Sequence, residues 1–182
     1  MVDHFNSSDV FFSVGGETFH AHRALLAARS PVFKALLLGS DSTAEACITL
    51  NDIEPATFQA LLHFMYTDDF PPGAHSSSPD SSDDTEMLHR LLAAAHEYML
   101  DGLKLMCARK LEESLSVETV ARTLGYAQMC GCSELKSKCL DFFTAKKNIR
   151  AAVTEGYLWL WHNFPSVIQE IKVIWALEDL QI

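Results

Sequence analysis

At 182 residues, with 48% hydrophobic and 21% charged side chains, the chain has the composition of a soluble globular protein, which excludes a collagenous, wholly disordered or membrane-barrel polypeptide. Fourteen Lys and Arg stand against 24 Asp and Glu, a formal charge of −10, the wrong sign for neutralising nucleic-acid phosphates or anionic lipid, so neither a nucleic-acid nor a membrane partner is expected. No run of 18 apolar residues occurs, and the opening MVDHFNSSDVFF lacks a basic, apolar and small-residue leader, so a soluble intracellular protein is expected, in nucleus, cytoplasm or both.

The first pattern is Val10-Phe11-Phe12-Ser13-Val14 and Glu17-Thr18-Phe19-His20-Ala21-His22, two β-prone runs flanking Gly15-Gly16, which predicts a hairpin whose Phe12, Val14, Phe19 and Ala21 need cover. From residue 23 to residue 38, Ala24, Leu25, Ala28, Val32, Phe33, Leu36 and Leu37 recur at helical spacings and supply it. Pro31 divides the run, so Ser30 is expected to cap a second helix starting there. Residues 39–45 read as an exposed turn and 46–50 as a short strand. Glu54-Pro55 then opens a helix with Phe58, Leu61, Leu62, Met65 and Tyr66 on one face.

Residues 71–84, PPGAHSSSPDSSDD, have the composition of a mobile, solvated loop that cannot bury enough apolar area to offset ordering its backbone. Helical patterns resume over 87–98 and 103–111 around Asp101-Gly102. They continue over 117–129 behind Ser116 and 134–144 behind Ser133, each serine a candidate cap. Two further helices follow. One carries Ile149, Val153, Tyr157, Leu158 and Trp161; the other, after Pro165, carries Val167, Ile168, Ile171, Ile174, Trp175 and Leu177. This apolar end either packs inward or forms the exposed edge of a helical stack.

Chemistry-bearing motifs are weak. No phosphate-binding loop, HExxH or GxSxG appears, so neither an enzyme nor a cofactor is expected. His20 and His22 share one face of a strand but have no third ligand nearby, and read as hairpin-to-helix hydrogen-bonding groups. Cys130-Gly131-Cys132 lacks a second pair at zinc spacing, and the odd set of Cys47, Cys107, Cys130, Cys132 and Cys139 suits buried reduced thiols rather than a disulfide framework. Arg23, Arg29 and Asp52, at element ends, read as local hydrogen-bonding and ion-pairing groups.

Taken in order, Ser8-Asp9-Val10, Val14-Gly15-Gly16, Phe19-His20-Ala21-His22-Arg23, Leu26-Ala27-Ala28-Arg29-Ser30-Pro31-Val32-Phe33 and Phe64-Met65-Tyr66-Thr67-Asp68 resemble the BTB/POZ domain, especially that of plant MATH-BTB proteins. The region from about Leu115 resembles the helical BACK region that follows it. The resemblance implies an α/β (α+β) fold with a small sheet covered by helices. It places a BTB/POZ domain at 1–112, with a flexible acidic insertion at 70–86, and a BACK-like region at 113–182. No MATH-like segment is read in the sequence.

The function implied is that of a non-catalytic adaptor recruiting substrates or partner subunits to a cullin-RING ubiquitin ligase, with a BTB-class cullin scaffold as partner. Transferred onto this sequence, the cullin-facing positions are Phe33, Lys34, Leu37, Leu38, Thr43, Glu45, Tyr98, Leu100 and Leu103. The Thr43-Ala44-Glu45 loop departs from the family's hydrophobic-spacer-Glu pattern, because Thr43 buries less apolar area than a large aliphatic residue. A homodimer, or a heterodimer with MATH-BTB proteins, would use Val2, Phe5, Ala24 and Leu25. The competing reading is a scaffold-free oligomerisation or inhibitory module pairing with full-length relatives. A transcriptional platform is a third reading, without a DNA-reading element of its own.

Overall fold

The computed structural model describes residues 8–39, 47–71 and 82–179. The loop readings for 40–45 and 72–81 lie outside them. The chain divides into two compact units, one drawn from 1–78 and 94–104 and the other from 79–93 and 105–182. The cut at 112 read from the sequence does not follow this division. Helices α4 (Ser82–Glu97) and α5 (Asp101–Glu113) each contribute to both units.

In the first unit, β1 (Val10–Val14) and β2 (Glu17–Ala21) form the expected hairpin. Its turn places Gly15 and Gly16 at φ 55° and 87°, conformations that side-chain-bearing residues resist. Strand β3 (Cys47–Leu50) pairs parallel to β1, giving the order β2-β1-β3 with Phe12 opposite both Phe19 and Ile48. Alternation sends Val10, Phe12 and Val14 to the buried face. There Phe12 meets Phe33 at 5.6 Å and Phe58 at 5.2 Å between ring centroids, and Phe19 also reaches Phe58.

Helices α1 (Arg23–Arg29) and α2 (Pro31–Leu38) break at Ser30 as expected. The Ser30 side chain accepts a hydrogen bond from the Phe33 N–H at 3.2 Å. That break resets the helical phase, and the single apolar stripe read across it is corrected accordingly. Leu26 and Ala27 are buried on α1 while Ala24 and Ala28 are exposed, and on α2 Phe33 and Leu37 turn inward while Leu36 turns out. Helix α3 (Pro55–Thr67) buries Phe58, Leu61, Leu62 and Met65. Tyr66 stays at its edge and binds His22.

Helix α4 begins at Ser82, about a turn before the sequence pattern suggested, so residues 82–86 belong to a helix and not to a flexible insertion. Acidic residues early in a helix complement its N-terminal dipole, and composition alone counted them as loop. The helix closes in a Schellman arrangement. Met99, at φ 54°, donates its N–H to the His96 carbonyl, and the Leu100 N–H reaches Ala95.

The second unit is helical. Helix α6 (Val120–Met129) starts three residues later than the sequence suggested, because residues 117–119 form a turn. Ser116 caps that turn, its Oγ accepting from the Thr119 N–H at 3.2 Å. Ser133 is the first residue of α7 (Ser133–Thr144) and not its cap, a position held by Cys132. A 3-10 segment (Lys146–Val153) precedes α8 (Glu155–Asn163) and α9 (Pro165–Asp179). It shifts the apolar phase, so Ile149, Val153, Leu158 and Trp161 are exposed while Leu160, Val167, Ile168 and Ile171 form core. Gly125 lets α6 approach α8, since a Cβ there would sit 2.4 Å from the Trp159 ring.

The Ser30 hydroxyl also donates to the Tyr98 carbonyl at 2.7 Å, and the residue is 1% exposed. Ser30→Ala removes a helix cap and a buried tertiary hydrogen bond together, and is expected to cost about 2 kcal/mol. Urea unfolding followed by circular dichroism measures that loss.

Candidate functional site

The first unit gathers only part of the docking set read from the sequence onto its surface. Phe33, Leu37, Tyr98, Leu100 and Leu103 are buried, because an aromatic or leucine side chain gains most by joining the core it abuts. Phe33 and Tyr98 stack at 4.7 Å with their planes 17° apart. These five residues therefore support the surface and do not form it. Lys34 is exposed, as is Leu38 at 59%. Leu36, 40% exposed, and Met99, 59% exposed, were not among the predicted positions. Thr43 and Glu45 lie outside the described residues.

Of the four dimer positions, Ala24 is exposed and Leu25 half-buried. Val2 and Phe5 lie outside the described residues. Met99 was legible only in hindsight: an exposed apolar residue in the left-handed region is the kind of local cost that a sequence pattern does not display.

Polar groups around this region are locally engaged. Asp9 accepts from the Arg23 N–H at 2.7 Å, and the Arg23 guanidinium reaches the Asp9 and Leu37 carbonyls. The Arg29 guanidinium forks onto both oxygens of Asp68, 5.6 Å over the Phe64 ring. The hydrogen bond from Arg29 holds the Asp68 carboxyl below the ordinary carboxylate range. His22 fulfils its hairpin-to-helix reading: its N–H donates to the Tyr66 hydroxyl at 3.0 Å, and its Nδ1 lies 2.8 Å from the same oxygen.

The second unit contains a cavity of about 340 Å³ lined by Thr85, Glu86, His89, Glu118, Thr119, Arg122, Thr154, Glu155 and Gly156. His89 on α4 is 1% exposed and stacks on Tyr126 at 4.6 Å with the ring planes nearly parallel. Its Nε2 lies 2.9 Å from Thr123 Oγ1, while Nδ1 has no hydrogen-bond partner. Glu86 Oε2 stands 3.9 Å from that nitrogen and 3.3 Å from Arg122. The sequence reading singled out none of these groups, because they converge from three segments.

Among the described residues no group of three or more His, Cys, Asp or Glu side chains is arranged to hold a metal. Burial pushes the thiols of Cys107 and Cys139 up to about 12, which keeps them protonated and unreactive. Cys47, in contrast, is exposed on β3 and departs from the buried-thiol reading.

Comparison with known proteins matches residues 2–115 to the BTB/POZ domain model and residues 119–172 to the BPM/SPOP BACK domain model. BTB/POZ and MATH domain-containing protein 3 of Arabidopsis thaliana is 39% identical over 175 residues, covering 94% of this chain and 43% of that protein. The mouse TD and POZ domain-containing protein 4 is 34% identical over 184 residues, covering 96% of this chain and 47% of its own length. The chain thus spans less than half the length of these relatives. Among solved structures, the BTB domain of zebrafish PATZ1 aligns with a TM-score of 0.46 and 24% identity, over 58% of this chain and 76% of that one.

Burial lowers His89 from 6.5 to about 4, so the fold accepts the neutral ring. Above pH 6.5 the ring is neutral folded or unfolded and no penalty arises. As pH falls from 6.5 to 4 the unfolded chain takes up a proton that the folded unit resists, and stability drops by up to about 3 kcal/mol. Urea unfolding at steps between pH 7 and pH 4 is expected to show a steeper acid loss for the wild type than for His89→Gln.

Proposed function

Since the chain belongs to the BTB/POZ family and carries a BPM/SPOP-type BACK domain behind it, we propose that it is a non-catalytic interaction adaptor that engages the scaffold of a cullin-RING ubiquitin ligase. The observation that carries the reading is the double family match together with 39% identity to a BTB/POZ and MATH domain-containing protein. The exposed Lys34 and Leu38, four residues apart on one side of α2, form the docking face, beside the buried Phe33 and Leu37 of the same helix. The cullin contributes an apolar surface to cover Leu38, and transfer of ubiquitin takes place on other subunits. Substrate is held by a separate MATH domain, in the same polypeptide or in a paired relative. The chain acts in the nucleus or the cytoplasm.

Exposed Ala24 and Ala28 on α1 favour pairing with a second BTB chain, because small residues allow close helix approach. Such pairing without scaffold binding is the alternative: an oligomerisation or inhibitory module acting on full-length relatives.

Titration calorimetry of the chain against the amino-terminal half of a BTB-class cullin tests the choice. Leu37 is buried, so Leu37→Asp reports on folding, and Leu38→Asp is the surface variant. Micromolar or tighter binding is expected, weakened about tenfold or more by Leu38→Asp with the fold intact. A folded wild-type chain that does not bind contradicts the scaffold reading and favours the pairing module.

A further inference from the structure

The 3-10 segment (Lys146–Val153) contains three cations and no carboxylate. Its inner side is set by Asn148 and Ala151, both buried and three residues apart, the spacing at which side chains eclipse in a helix of three residues per turn. Asn148 Nδ2 donates to the Phe142 carbonyl at 2.8 Å, and the Asn148 N–H donates to the Ala145 carbonyl. With one ridge held inward, the same period lines up Lys147, Arg150 and Val153 on a second ridge and Lys146, Ile149 and Ala152 on a third. All three cations are exposed. So are the two aliphatic side chains among them, Ile149 at 65% and Val153 at 84%, the largest value for any large apolar side chain among the described residues.

Elsewhere in the second unit Arg90, Arg122, Lys136 and Lys138 each pair with a glutamate. Among the described residues no carboxylate pairs with Lys146, Lys147 or Arg150, although the chain has a formal charge of −10. Aliphatic members interleave with charged ones on both outer ridges, so neither ridge is apolar throughout. That argues against burial in a lipid interface, which takes a segregated apolar face. The overall negative charge opposes a phosphate-rich polymer. We propose that the segment is a docking ridge for an acidic, extended peptide of a partner protein, two carboxylates meeting Lys147 and Arg150 and a large aliphatic side chain covering Val153. The spacing fits. Three residues along a 3-10 helix advance about 6 Å, close to the roughly 6.7 Å between alternate residues of an extended chain. Lys146 and Ile149 on the neighbouring ridge flank the peptide with a third charge and further apolar surface. The ridge stands independently of cullin binding, because the whole segment belongs to the second unit.

The test titrates the full 15N-labelled chain with the end-blocked peptide Gly-Asp-Thr-Asp-Thr-Leu-Gly, whose aspartates and leucine sit at alternate positions. The backbone amides of residues 146–153 are expected to shift saturably at sub-millimolar peptide. Replacing both aspartates of the peptide by asparagine should weaken binding about tenfold, and the rearranged peptide Gly-Asp-Asp-Thr-Thr-Leu-Gly should bind several-fold more weakly. In the protein, Lys147→Gln combined with Arg150→Gln should also cost about tenfold, and Val153→Ser a few-fold. The thermal midpoint should stay unchanged in both variants, because all three side chains project into solvent. No shift at millimolar peptide, equal binding of the three peptides, or heptathymidylate or phosphatidylserine vesicles shifting the same amides as tightly would each overturn the assignment.

Discussion

The Ser30 hydroxyl binds two parts of the first unit at a single buried atom, accepting from the Phe33 N–H and donating to the Tyr98 carbonyl. It stops α1, starts α2 in a new phase and anchors the chain that leads from α4 to α5. The Phe33–Tyr98 stack then seals the same junction with apolar surface. Everything proposed for the outer face of α2 depends on this junction, because the phase set at Ser30 decides which leucines are core and which are presented.

That dependence explains what the sequence could reveal. The hairpin, the break before Pro31, the strand at Cys47–Leu50 and the α3 face were legible because each rests on local chemistry: paired glycines, a capping serine, a proline and a helical repeat. Assignment to the surface was less legible. Phe33, Leu37, Tyr98, Leu100 and Leu103 were read as partner-facing, and the structure places all five in the core. A hydrophobic residue transferred by resemblance does not say whether it touches a partner or the core. Leu36 and Met99 are exposed for reasons visible only once the helix phase and the turn after α4 are known. The parallel partner of β1 was likewise out of reach, since pairing between distant strands leaves no local signature.

In the second unit the physical problem is a buried imidazole. Aromatic stacking from His89 through Tyr126 to Trp159 holds α4, α6 and α8 together. Closeness at Gly125 makes room for the indole. The same packing buries the ring and leaves its Nδ1 without a hydrogen-bond partner. Buried polar atoms are ordinarily satisfied, so the unpaired Nδ1 is a local cost that the surrounding aromatic packing offsets.

The most direct test of the account is hydrogen–deuterium exchange on the intact chain with and without the amino-terminal half of a BTB-class cullin. The account predicts slowed exchange at residues 34–39 in the complex, with the β1–β2 hairpin unchanged. A complex that forms while leaving that segment unprotected would contradict the docking face, and with it the claim that the buried junction at Ser30 exists to present α2.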